Sequence, residues 1–329
     1  PVAGWGNDRP MMIPRSFAPM IMLASCWAVG FFLMADKVIA IETAATTTVA
    51  DVLYWSWNKG DVYDVQMQTK TKIHLKQGQQ ELEYHSTTTI DGVLVVQSLS
   101  AQSIAEIHWT VRRIRLDNGA GKKRISIDSA GQLAADELQP VEKSLLASLR
   151  PLLAKTFVLR IDRQATLLGV QELKRQSAVA ADQNNVQPKL DVDEPLFTAG
   201  GVKAAFRHVF VSFPKGELEF QTIWQESKNP LSSPMNNPVR FQYQYRGLKA
   251  ERGHVVGIIG KYAFADSGEQ SKVLKIDQEQ ISGKLVTDAG QNYVKRVDLE
   301  LLLKTTAGQG TDAIITEQSD IQSIAIAKK

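Results

Sequence analysis

The stretch Ala105-Glu106-Ile107-His108-Trp109-Thr110-Val111-Arg112-Arg113-Ile114-Arg115-Leu116 decides the fold class. Ala105, Ile107, Trp109 and Val111 alternate with Glu106, His108, Thr110 and Arg112, which is the two-residue period of a half-buried strand. The phase slips at Arg112-Arg113, after which Ile114 and Leu116 take the apolar side. A one-residue slip would turn every later side chain to the wrong face, so the pattern predicts a β-bulge at that pair.

The same period runs outward in both directions. Val52 to Trp57 reads as a first strand entering a turn at Asn58-Lys59-Gly60-Asp61, and alternation resumes from Val62 to Lys70. Glu81 to Ile90 reads as the next strand, with Asp91-Gly92 as a tight turn before Val93-Leu94-Val95-Val96. Helical spacing breaks in at Val141, Leu145, Leu149 and Leu152, behind the acidic pair Asp136-Glu137 and stopped by Pro151. Gln176 to Pro195 is polar and aperiodic, the character of a linker, and Phe197, Val202, Phe206 and Val209 then suggest a second helix.

Beyond that helix the first half's landmarks recur. Phe213-Pro214-Lys215-Gly216-Glu217 opens a strand as Asn58-Lys59-Gly60-Asp61 does, and Asp288-Ala289-Gly290 matches Asp128-Ser129-Ala130-Gly131 at a similar offset. The expected fold is therefore α+β, mostly antiparallel β, in two related lobes, each a curved sheet packed on a helix. Residues 50–175 form the first lobe, with its helix near 138–150; 176–195 the linker; and 196–329 the second, with its helix near 196–210. Gly253-His254-Val255-Val256-Gly257-Ile258-Ile259-Gly260-Lys261 lacks phosphate-loop spacing and reads as a glycine-bearing strand.

Residues 1–40 read as an extension and an export signal or anchor. Phe17 to Met34 carries no charge, Arg9 and Arg15 precede it, and Val38-Ile39-Ala40 fits a cleavage site. An uncleaved anchor is the second reading, and Leu23-Ala24-Ser25-Cys26 also matches a lipobox. All three place the body in the periplasm or cell envelope, with membrane contact only through residues 17–34.

Cys26 is the only cysteine, so the body has no thiol for a disulfide, a thiolate–metal site or a cysteine nucleophile. With 38 basic against 35 acidic residues there is no electrostatic footprint for nucleic acid. The five histidines are scattered, no carboxylate pair stands out as acid and base, and no strand–turn–helix nucleophile context occurs. No cofactor, metal or catalytic residue is expected.

Trp55-Ser56-Trp57-Asn58-Lys59-Gly60-Asp61, followed past mid-chain by Phe213-Pro214-Lys215-Gly216-Glu217, resembles a family of exported two-lobed β-rich envelope proteins from planctomycetes and Bacteroidetes. That resemblance implies export and a β-rich body, and brings no activity. A curved antiparallel sheet wrapped over helices is also similar, at fold level alone, to the half-barrel of periplasmic lipoprotein carriers.

Two residue sets are candidates for binding. Trp55, Trp57, Trp109 and Trp224 suit core packing or the lining of a concave face. Arg112, Arg113, Arg115, Lys122, Lys123 and Arg124 form a basic cluster, either a charged hairpin edge or a site for an anionic partner. The leading functional expectation is a non-catalytic envelope module with a concave apolar face for a lipid or protein segment. An assembly protein acting through exposed sheet edges and an envelope hydrolase are the alternatives.

Overall fold

Alternation tells which side chains share a face, but only pairing tells which strands share a sheet. The computed structural model describes residues 53–121, 123–131, 139–153, 155–173, 198–228, 239–249, 253–262, 274–290, 293–308, 310 and 313–329. The signal or anchor segment, the 176–195 linker, Asp136-Glu137 and Lys122 lie outside these residues.

The first half supplies β1 (Val62–Gln77), β2 (Gln80–Leu99), β3 (Ala105–Ala120), β4 (Lys123–Asp128), helix α1 (Pro140–Leu149), β5 (Thr156–Ile161) and β6 (Leu167–Glu172). The second supplies helix α2 (Ala199–Phe206), β7 (Ile223–Lys228), β8 (Val239–Lys249), β9 (Gly253–Tyr262), β10 (Leu274–Thr287), β11 (Val294–Ala307) and β12 (Ile314–Lys328). The twelve strands among the described residues belong to one sheet, in the order β6-β5-β3-β2-β1-β12-β11-β10-β9-β8-β7, with β4 paired to the far end of β3.

The expected α+β fold of two related lobes, each backed by a helix, is thereby corrected. β1 and β12 pair antiparallel from Tyr63–Lys328 to Gln77–Ile314 and fuse the halves at the centre of the sheet. Each would otherwise present a long edge of unpaired backbone N–H and C=O groups, and mutual pairing satisfies both. Among the described residues strand makes up 65% and helix 10%, too little to back a sheet of this width. The two described helices also sit in unlike places, α1 between β4 and β5 and α2 ahead of β7, so neither matches the other in a repeat.

The sheet edges, β6 and β7, are held by the same short segment. Phe213 N donates to Gln164 O at 3.0 Å and the Thr166 and Ser212 hydroxyls meet at 3.1 Å, on the β5–β6 side. Ser212 N donates to Glu226 Oε1 at 2.8 Å and Gln221 N to Tyr245 O at 2.8 Å, on the β7–β8 side. One strap thus draws both edges together and the sheet curls around it.

Inside the curl lies an aromatic plug. Trp55 stacks on Trp57 at 4.6 Å, as two same-parity side chains can, and Trp57 meets Tyr63 edge-on at 5.6 Å. Phe210 touches Trp55 at 5.3 Å and Phe206 at 5.5 Å, and Phe206 meets Trp109 of β3 at 5.3 Å. Each such burial contributes on the order of 1.5–3 kcal/mol. Val52–Trp57 reads from the sequence as a strand; the described part, from Leu53, forms no strand and lies inside the plug, tied by Trp55 N to Arg163 O at 3.2 Å.

The expected bulge is present. Asp91 pairs with Arg113 but Gly92 with Val111, leaving Arg112 as the extra residue, and Val111 and Ile114 are both buried. Asp91-Gly92, expected as a turn, lies mid-strand in β2. A Cβ on Gly92 would sit 2.2 Å from the Trp109 ring, so glycine is there to admit the indole rather than to reverse the chain. The strand expected to open at Lys215-Gly216 begins at Ile223 instead. Helix α1 ends at Leu149, and Arg150-Pro151-Leu152 follow as one 3-10 turn. Its acidic first-turn residue is Glu142, whose carboxylate accepts from Gln139 N at 2.9 Å.

Candidate functional site

The two faces of the central strands carry different chemistry. On the concave face the register aligns residues into rows across β3-β2-β1-β12-β11-β10. The row nearest the plug, Ile114–Ile90–Met67–Ile324–Val297–Leu285, is wholly apolar. The next, Leu116–Thr88–Thr69–Gln322–Leu299–Gly283, is polar at its centre. Asn118–Ser86–Thr71–Asp320–Leu301–Ile281 follows, and then Ala120–Tyr84–Ile73–Gln318–Leu303–Glu279. A polar stripe thus runs along β2, β1 and β12, flanked by apolar side chains of which Leu303 and Ile125 are only half-buried.

Asp320 sits in the middle of that stripe with 1% of its surface exposed. Its Oδ2 accepts from Gln318 Nε2 at 2.7 Å, while Oδ1 has no hydrogen-bond donor among the described residues. Burial pushes its pKa up to about 6, against the pull of the Thr71 hydroxyl and the Gln318 amide. Ser86 Oγ, two strands from Asp320 in the same row, donates to Asn118 Oδ1 at 2.6 Å. The stripe offers an amphiphile a polar anchor between two apolar flanks.

On the convex face two bulges face each other. Val111-Arg112-Arg113-Ile114 and Val294-Lys295-Arg296-Val297 share one pattern: an apolar residue, two cations, an apolar residue. In the second, Val286 pairs with Arg296 but Thr287 with Val294, so Lys295 is extra on β11 as Arg112 is on β3. The outward row Arg113–Asp91–Gln66–Ala325–Arg296 connects them, and the whole forms a groove of about 1140 Å³. Arg113 forks onto Asp128, its Nε 2.9 Å from Oδ1; Arg115 reaches Asp91 at 2.8 Å; Arg112 lies 3.7 Å from Asp64. Across the groove Asp298 takes Arg296 at 2.8 Å and Lys284 at 3.7 Å. Arg113 holds the Asp128 carboxyl below the usual range, burial notwithstanding.

The residues marked as candidates from the sequence fall into two groups by location. Trp55, Trp57 and Trp109 are 3%, 7% and 2% exposed within the plug, and Trp224 stacks on Tyr243 at 5.5 Å. The gap beside Trp55, between Leu53, Phe213 and Tyr293, is too tight for a water molecule. The first three pack the interior, and Trp224, half-buried, packs against it. Arg112, Arg113 and Arg115 line the convex groove. Lys123 and Arg124 lie apart on β4, where Arg124 forks onto Asp117 with Nε 2.8 Å from Oδ1.

Asp320 and the far bank of the groove were not among those candidates. Asp320 shares parity with Ile324 and Ile326, a signal that it faces inward. Lys295-Arg296 repeats the cation pair of the first bulge, but only the β1–β12 pairing reveals that the two share a groove. The recurring turn aspartates both brace their own turns, Asp128 Oδ1 accepting from Ala130 N at 3.0 Å and Asp288 Oδ1 from Gly290 N at 2.9 Å, and Asp128 also takes the Arg113 fork. Asp61 joins the first turn to the C-terminal strand through Lys328 at 2.9 Å.

No family model matches the chain, and no curated protein matches it. Among solved structures, lipovitellin, from a study of its lipid–protein interactions, aligns with a TM-score of 0.47 at 8% identity over 83% of this chain. This chain spans a quarter (25%) of that one. An outer membrane channel from Pseudomonas putida F1 aligns at 0.23 and 8% identity, over 83% of this chain and 98% of its own. A DUF1329 family protein from Desulfovibrio piger ATCC 29098 aligns at 0.14 and 7% identity, over 80% and 83%. At these values the alignments assign neither fold nor ligand.

Proposed function

We propose that this chain is a non-catalytic binding module of the cell envelope whose concave face holds a single-chain amphiphile, polar group on the central stripe and apolar chain along a flank. The observation that carries this reading is Asp320: a buried carboxyl oxygen without a donor among the described residues, set among polar neighbours, with Leu301 and Ile281 beside it. A buried acceptor left unfilled costs about 1–3 kcal/mol, and a ligand hydroxyl or amine would recover it. The uncharged run Phe17–Met34 behind Arg9 and Arg15 supports delivery to the envelope. The concave face is not uniformly apolar, so the ligand class narrows from any lipid to one with a hydrogen-bond-donating head.

Titration calorimetry with a short-chain monoacylglycerol, below its micellar concentration, tests this. Saturable binding is expected, weakened about tenfold or more by Asp320→Leu, the scale of a hydrogen bond to a charged group. Binding that is absent, or indifferent to Asp320, defeats the proposal.

A further inference from the structure

The convex groove is independent of the concave stripe and carries its own chemistry. Its two banks are built alike: in each, a bulge turns two consecutive cations outward where plain alternation would bury one. Four strand-to-strand steps separate β3 from β11, about 19 Å at the usual spacing. Between the banks the floor is made of Gln66, Ala325 and Ala327, small or neutral residues, with Asp64 and Asp91 along it. The layout is cationic, then polar and acceptor-rich, then cationic again.

We infer that this groove binds an extended acidic oligosaccharide lying across the strands. Acidic groups near its two ends meet Arg112 and Arg113 on one bank and Lys295 and Arg296 on the other. Hydroxyls between them donate to the remaining lone pairs of Asp64 and Asp91 and to the Gln66 amide oxygen, Gln66 Nε2 itself donating to Asp91 Oδ1 at 2.9 Å. Asp64 and Asp91 are each already paired with a cation, Lys329 at 3.0 Å and Arg115 at 2.8 Å, so the floor is near neutral and a chain with phosphate at every unit gains nothing at its centre. The concavity disfavours a flat anionic bilayer, which would rest on the rims without reaching the floor. Arg113, Arg115 and Arg296 already lean on aspartates and are fixed in place. Lys295 is exposed at its bulge, and Arg112 is exposed with its nearest carboxylate 3.7 Å away. Those two are the cations best placed to reorient onto a ligand.

The test uses the full chain and a defined probe, an oligouronate, with the matched neutral oligosaccharide, inorganic phosphate and phosphatidylglycerol-containing vesicles in parallel arms. Binding is followed by calorimetry at low salt. The oligouronate should bind, the neutral oligosaccharide and phosphate at least tenfold more weakly, and added salt should reduce the affinity. Arg112→Gln and Lys295→Gln should each weaken it about three- to tenfold, and the double variant by roughly the product, the scale of one charge-assisted contact apiece. Both side chains are exposed, so thermal unfolding of the variants should match the parent. Equal binding by parent and double variant overturns the inference, as does equal binding of the neutral oligosaccharide. Vesicle binding with no oligouronate binding overturns it in favour of a membrane-facing surface.

Discussion

Two aspartates on opposite faces of one sheet titrate in opposite directions. Asp320, on the concave face, is pushed up to about 6 by burial. Asp128, on the convex face, is held below the ordinary range by the Arg113 fork. The consequences for stability have opposite sign. Unfolding lets Asp320 return to its usual acidity, so the unfolded state binds fewer protons and stability falls as pH rises from about 4 to about 6. Asp128 stabilises the fold above the usual carboxylate range, and that contribution is lost as pH falls through its lowered pKa. Same residue type, same sheet; environment sets the sign.

The sharpest way to break this contrast is to put a carboxylate where the concave face is wholly apolar. Ile90→Asp, in the row beside Met67 and Ile114, should destabilise by about 3–5 kcal/mol near neutral pH, because an unpaired charge would be buried. Chemical denaturation would read that loss, and it should shrink in acid. Next in size is Asp320→Asn. Removing the charge while keeping the shape should raise stability at pH 7.5 by about 3 kcal/mol at most, given the gap between 3.8 and about 6. It should also flatten the decline between about pH 4 and 6. A variant less stable than the parent at that pH would mean Asp320 is held by partners that reward its charge. The smallest effect belongs to the convex face. Arg113→Gln breaks a partly solvated pair and should cost under about 1 kcal/mol, less at high salt.

The contrast also marks what the sequence could reveal. Ala105–Leu116 disclosed its own strand and bulge, because both depend on neighbours along the chain. Gly92 did not, because its role is set by Trp109 arriving from the next strand. The single sheet was hidden for the same reason: alternation is identical whether β1 pairs with β12 or ends a separate lobe. Half of the groove was legible as Arg112, Arg113 and Arg115; the other bank lies about 180 residues on, and only pairing joins them. Asp320 could have been found by carrying the parity of Ile326 and Ile324 back through Gln322. Trp55, Trp57 and Trp109 lie buried in the plug and Trp224 is half-buried, and their spacing gave no hint that the space among them is filled.

The concave face is the claim on which the function rests, and Leu303 and its neighbour Leu302 test it directly. Both are half-buried, Leu303 inward between Gln318 and Glu279, Leu302 outward opposite Ser319. In a Cys26→Ser background, bimane attached after Leu303→Cys or Leu302→Cys would be exposed to a monoacylglycerol with a brominated chain. Saturable quenching at position 303 and none at 302 is the expected result. Equal quenching at both, or quenching at 302 alone, would contradict a ligand seated on the concave stripe.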